Sequence, residues 1–323
     1  MSTAYIVRRA VQALFTLFIV ITLNFFLPRL TPGDPAARFY DDPRVSIEMK
    51  QQILKEFGLD KNLPEQFVIY LQNLARGDLG VSYCYRRPVM DVILGRIPWT
   101  LALTGTSTLI AVVLGAILGA YGGWHRGGKI ERAILGGAIA FSALPSFWLA
   151  LLLLLVFAYY APLFPLGGMI DPGVSIGLNV PFIASVTRHA ILPLVSMTLA
   201  SIIGYAILVR SSMIEVIGSD YIVVARSKGL NEQKILFRHA LRNALLPLVT
   251  SIGMKLSALI GGAVIIETIF RWTGMGLLVV ESARDMDYPL MQGVFLILAS
   301  ITIVGNLLAD VTYSWFDPRV VLK

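Results

Sequence analysis

The sequence predicts an all-α membrane protein with six transmembrane helices, on three observations: an apolar composition, six long apolar stretches, and uneven placement of Lys and Arg. Of its 323 residues, 56% are hydrophobic and 15% charged, and the mean hydropathy is +0.73. Soluble domains are only about 45–50% apolar, and a soluble fold could not hide this much apolar surface. The net charge of +7 would suggest nucleic acid in a soluble protein. Here it reads as Lys and Arg gathered in cytoplasmic loops, with no soluble basic domain left to bind nucleic acid. The single cysteine, Cys84, excludes an intrachain disulfide framework. His125, His189 and His239 stand alone, without metal-ligand spacing.

A helix needs about 20 apolar residues to cross the hydrocarbon core. Six stretches reach that length: Ala10 to Leu27, Trp99 to Tyr121, Ala133 to Tyr160, Ala190 to Val209, Ala244 to Ile266, and Pro289 to Tyr313. The first follows Arg8 and Arg9 but lacks a small-x-small cleavage site before Pro28-Arg29, so it reads as a retained anchor. With the N-terminus inside, the inner segments hold Arg8, Arg9, Arg126, Lys129, Arg132, Arg210, Arg226, Lys228, Lys234, Arg238, Arg242, Arg319 and Lys323. The two short outer loops hold only Arg188, Arg271 and Arg284. Short basic loops stay cytoplasmic, so both termini are expected there. The chain then divides into an anchor helix (1–28), an extracytoplasmic segment (29–98), a five-helix core (99–313) containing a cytoplasmic loop (211–247), and a short cytoplasmic tail (314–323).

The outer segment carries two helical patterns. Ser46 can cap a helix with Ile47, Ile53, Leu54 and Phe57 on one side, stopped by Gly58. Pro64 starts a second, with Phe67, Val68, Leu71 and Leu74 at helical spacing before Gly77 ends it. They suit either a cap packed on helix ends or a docking surface for an extracellular partner. Inside the membrane, Gly115, Gly119 and Gly123 recur every four residues on the second span, and Gly253, Ser257 and Gly261 on the fifth. Small residues at that spacing let helix backbones approach closely, within one subunit or between two.

The fourth and fifth spans are separated by a polar but patterned stretch, YIVVARSKGLNEQKILFRHALRNALLP from Tyr221 to Pro247. A short helix reaches Lys228, Gly229 permits a sharp turn, and Asn231 can cap a second helix. Ile235, Leu236, Ala240 and Leu241 give that helix an apolar face; Lys234, Arg238 and Arg242 give it a basic one. Such a loop suits force transmission to another protein, or an interfacial helix lying on lipid headgroups. A different segment, Gly123-Trp-His-Arg-Gly-Gly-Lys129, almost spells a phosphate-binding loop. Ile130 follows where Ser or Thr should hold magnesium, and no strand precedes it, so it reads as a basic turn.

The Gly229 loop resembles that of the permease subunits of ABC importers, in the dipeptide and oligopeptide (peptide/nickel) branch. The resemblance centres on Ala225, Gly229 and Pro247, in the form ARSKGL followed by RHALRNALLP. It extends to SSMIEVIGSDY (211–221), PGDP (32–35), GDLG (77–80), ETIF (267–270), DYPLMQG (287–293) and DPR (317–319). Val223 stands where the general motif has glutamate, and the interval from Gly229 to Pro247 is longer than in sugar-type permeases; both departures resemble the peptide branch.

The resemblance implies a type I importer permease fold in a prokaryotic inner membrane. It implies as partners a second related permease, two cytoplasmic ATPase subunits and an extracytoplasmic substrate-binding protein. Ala225, Arg226, Ser227, Lys228, Gly229 and Leu230 would then form the ATPase-coupling loop. ATP and magnesium would be bound by the ATPases, leaving this chain without a cofactor or a catalytic role. Peptides are the expected cargo; nickel chelates, glutathione and oligosaccharides travel through relatives of similar sequence.

The residues speak against two other classes. An ion-coupled secondary transporter usually places acidic residues near the midplane, whereas Glu267 and Asp310 are expected near span ends, within reach of water. An intramembrane enzyme needs a nucleophile–base or metal constellation, and no Ser or Thr has a partner His within a span. Lys255 is the one charged side chain expected near the middle of a span. It reads either as a lysine satisfied at the permease interface or as a lining of the translocation path.

Overall fold

The computed structural model describes residues 3–30, 61–142, 144–255 and 263–316. Helix α1 (Thr3–Leu30) is followed by α2 (Leu63–Ala75), α3 (Val89–Trp124), α4 (Lys129–Ser142), α5 (Ser146–Leu154, continued by a π-helical turn, Leu155–Tyr160) and α6 (Val180–Ile217). Next come α7 (Asp220–Ser227) and α8, which runs from Glu232–Lys234 through a π-helical turn, Ile235–Ala240, into Leu241–Ala244. The last described helices are α9 (Leu246–Lys255), α10 (Val264–Ile269), α11 (Met275–Arg284) and α12 (Tyr288–Phe316). Among the described residues the only β contact is an isolated bridge between Val81 and Pro88.

Among the described residues, four helical stretches are long and apolar enough to cross a membrane: Val7–Phe26, Val89–Trp124, Val180–Ile217 and Tyr288–Leu307. They correspond to the first, second, fourth and sixth expected spans. At 1.5 Å per residue, α6 is about 57 Å long, so it overruns a hydrocarbon core of about 30 Å. The third expected span, Ala133 to Tyr160, is not one helix. Pro145 sits at φ −58°, ψ 139° as the N-cap of α5, because a proline has no N–H to continue the ladder and crowds the preceding turn. The fifth is described only as α9 and α10, on either side of 256–262. The Ser46-capped helix, the PGDP and DPR motifs, and Ser257 and Gly261 of the second small-residue stripe lie outside the described residues.

The described residues of 1–98 and 278–307 form one compact unit, and those of 99–277 and 308–318 a second. In the first unit, α2 begins as expected with Pro64 in its opening turn, and Asn62 Oδ1 accepts from the Glu65 N–H at 2.9 Å. It closes at Gly77, whose N–H donates to Leu74 O at 3.0 Å. Phe67 packs at a tilt against Phe25 and Phe26 of α1, with centroids 5.0 and 5.3 Å apart. This helix is therefore a cap packed against a helix end, although Val68 remains exposed. The DYPLMQG stretch has a physical basis here: buried Asp287 accepts from Ser82 Oγ at 2.5 Å, Cys84 N–H at 3.0 Å and Leu290 N–H at 3.2 Å.

In the second unit, the glycine stripe of α3 seats directly on α6. A Cβ at Gly115 would lie 2.6 Å from Tyr205 Cβ, and one at Gly123 would lie 2.6 Å from Met213 Cβ. Gly119 meets the Ala206 carbonyl and Val209 at similarly short range. The stripe is thus used within the subunit, where bare backbone lets α3 and α6 gain close van der Waals contact. Ala111 and Ala120 of α3 and Tyr205, Val209 and Met213 of α6 belong to one buried cluster, which continues into the Gly229 loop. A second cluster joins Leu149, Ala150 and Leu153 of α5 to Leu192 of α6 and to Ile266 and Phe270.

Candidate functional site

The loop between α6 and α9 is built as two short helices joined by a glycine turn. The N–H of Gly229 donates to Arg226 O at 2.9 Å and that of Leu230 to Ala225 O at 3.4 Å. This pair of bonds closes α7 by a Schellman motif, which needs a left-handed residue just past the helix. Gly229 supplies it at φ +68°. Asn231 then caps α8, its Oδ1 accepting from the Gln233 N–H at 2.9 Å.

The loop has an inner and an outer side. Ile222, Ala225, Ile235, Leu236, Ala240, Ala244 and Leu248 are buried in the cluster shared with α3 and α6, and Leu230 packs against it. Ala225 and Leu230, the two positions whose apolar contact accompanies a Schellman turn, both face this cluster. Outward, Arg226, Ser227, Lys228 and Gly229 are exposed, together with Lys234, Arg238 and Arg242. Tyr221, Val223, Val224 and Phe237 add exposed apolar surface; Val223, at the motif's glutamate position, is 56% exposed. Arg226 bridges the turn to Glu232 through bonds of 3.0 and 3.2 Å, and its guanidinium lies 5.6 Å from the Trp124 ring at the end of α3. The structure therefore places Arg226, Ser227, Lys228 and Gly229 on the exposed side of one turn and Ala225 and Leu230 on its inner side. Lys255 ends α9; its side chain lies outside the described residues.

Sequence reasoning missed an interaction beside this loop. Glu131 of α4 accepts from Arg210 Nε at 2.9 Å and from an Arg210 Nη, while its other oxygen accepts from the Gly127 N–H. The arginine bonds, then the backbone bond, hold the Glu131 carboxyl below its ordinary range. The available signal was a single acid between Tyr121 and Ala133, but nothing local names a partner 79 residues away. The same contact explains the phosphate-loop look-alike: the Gly127 N–H faces a carboxylate of the protein itself.

One reading of the acidic residues changes. Glu267 was expected near water but is fully buried. Its carboxylate accepts from Thr100 Oγ1 at 2.7 Å, the Gly276 N–H at 2.7 Å and the Leu277 N–H at 3.1 Å. It satisfies the opening turn of α11, where unpaired N–H groups favour a negative charge. His189 is buried four residues after Ser185. Its Nδ1 donates to the Ser185 carbonyl at 2.9 Å, while Ser185 Oγ donates to Asp171 Oδ2 at 2.8 Å. The hydroxyl thus points to the carboxylate instead of the imidazole, which is not the geometry of a nucleophile and its base.

Apolar helices of membrane-spanning length, a tight glycine seam between two of them, and one polar two-helix loop docked on that seam define an integral membrane protein. The chain belongs to the family described as binding-protein-dependent transport system inner membrane component, matched over residues 111–322. The N-terminal membrane component of the same systems matches residues 2–104. The oligopeptide transport system permease protein AppB of Bacillus subtilis is 36% identical, covering 98% of this chain and 99% of its own. The di/tripeptide permease protein DppB of Pseudomonas aeruginosa is 34% identical and the dipeptide permease protein DppB of Escherichia coli 32%, each over 98% of both chains.

Proposed function

We propose that this chain forms half of the membrane pathway of an ATP-driven peptide importer, with Ala225 to Leu230 as the element that receives the ATPase stroke. Its partners are a second related permease, two cytoplasmic ATPases and an extracytoplasmic binding protein. Hydrolysis belongs to the ATPases, and no covalent chemistry or cofactor is assigned to this chain. Peptide cargo is supported by the peptide transport for which relatives matching nearly end to end are named. The coupling role is carried by one observation: α7 and the Gly229 turn bury one side in the α3–α6 seam and leave the other exposed. A lever must be fastened at one end and accessible at the other.

Gly229→Val tests this reading in the complete complex reconstituted in vesicles. A β-branched residue at positive φ costs about 1–2 kcal/mol or more, so transport should fall while ATP hydrolysis continues. Normal transport would remove the coupling role. The proposed orientation places 29–98 outside and 211–247 inside. Cys84, which is exposed, should then react with a membrane-impermeant thiol reagent added outside cells. A cysteine introduced as Gln233→Cys in a Cys84→Ser background should be protected, and rapid labelling there would reverse the topology. For Lys255, the path-lining version predicts that Lys255→Met reduces transport of free-acid peptides more than of amidated ones. Equal loss for both would remove that role.

A further inference from the structure

Arg210 stands at the end of α6 that leads into the coupling loop, and Glu131 stands at the start of α4. Their side chains retain only 19% and 8% of their exposure, so the pair is far better shielded than Arg226 and Glu232. Removing one partner of a shielded pair leaves the other charge uncompensated, which is much costlier than breaking a surface pair. The backbone of Arg210 also sits on the glycine seam: a Cβ at Gly119 would lie 3.0 Å from its N and one at Gly123 would lie 3.0 Å from its O. Ile134 and Ala138 of α4 are buried, and α4 packs along α6. On the same stretch of α6, Val209 and Met213 share a core with Ile222, Ala225 and Ile235 of the loop. One end of α6 is thus gripped by the coupling loop, by bare α3 backbone and by Glu131.

We propose that the Glu131–Arg210 pair is a positioning clasp that makes α4 travel with α6 when the coupling loop is driven, so that the stroke reaches the α4–α5 half of the subunit. This rests on the coupling role proposed for Gly229. Neither residue is assigned to cargo or nucleotide. Their loss should therefore change how much transport each ATP yields, and leave hydrolysis itself in place.

The test uses the complete importer in vesicles, measuring peptide uptake and ATP hydrolysis together. Glu131→Gln should lower uptake per ATP about tenfold, within the 5- to 150-fold range typical of coupling between sites. The exchange Glu131→Arg with Arg210→Glu should recover at least half of the loss. If Glu131→Gln does not assemble, Arg210→Lys, which keeps the charge but loses the forked contact, should give a smaller fall in the same ratio. An unchanged ratio in these single variants, or a double exchange no better than they are, would overturn the clasp. Gly229→Val run in parallel separates the two ideas: if it uncouples while Glu131→Gln does not, the coupling loop stands and the clasp fails. If Gly229→Val transports normally, the coupling reading itself is lost.

Discussion

Two helix turns in the same unit solve the same local problem in opposite ways. At Glu267, a buried carboxylate gathers a hydroxyl and two backbone N–H groups at the start of α11. At Gly229, the turn is closed by backbone bonds and by an ion pair whose side chains are 44% and 56% exposed. A buried polar network is strong because each orphaned partner costs its full desolvation. A surface ion pair is worth little because water competes with it. The first arrangement fixes one geometry. The second keeps a defined shape while leaving its outer side open to a partner, as a coupling element requires.

The largest expected effect comes from breaking the closed turn. Glu267→Ala orphans three donors, which should cost about 3 kcal/mol or more in thermal unfolding of the purified complex. Glu267→Gln should cost less, since its carbonyl can still accept. A loss under about 1 kcal/mol for Glu267→Ala would mean the network is not what holds this turn.

The open turn should respond to backbone conformation alone, because nothing lies within 4 Å of a Cβ built at Gly229. Gly229→Asn should be tolerated best, Gly229→Ala should cost about 1 kcal/mol, and Gly229→Val should cost most. If Ala and Val behave alike, something other than φ +68° is limiting.

The two ion pairs sharpen the same contrast. Glu131 has a folded-state pKa held below its ordinary 4.5, first by Arg210 and then by the Gly127 N–H. Its stabilisation is therefore complete above pH 4.5 and is lost as the pH falls through the lower folded value. The stability difference between wild type and Glu131→Gln should accordingly narrow on acidification; a difference constant with pH would remove the charge contribution. Arg226→Ala should have the smallest effect, at most about 1 kcal/mol and less in high salt. A large salt-independent loss would show that Arg226 is held by more than Glu232.

Features encoded within a few residues were legible in the sequence. Asn231 three positions before Lys234, glycine at 229, Pro64 at a helix start and glycines four apart on α3 each act through local backbone geometry, so their pattern suffices. The spans were legible for a related reason: length and hydropathy alone satisfy the membrane, and among the described residues four of the six stretches form single helices of spanning length. Tertiary structure decided which α6 residues receive the α3 glycines, that Glu267 is sealed from water, and that Glu131 meets Arg210. Those partners lie 79 and 167 residues apart. No local propensity carries information across such a separation; only packing, which must pair every buried charge and fill every gap, selects them.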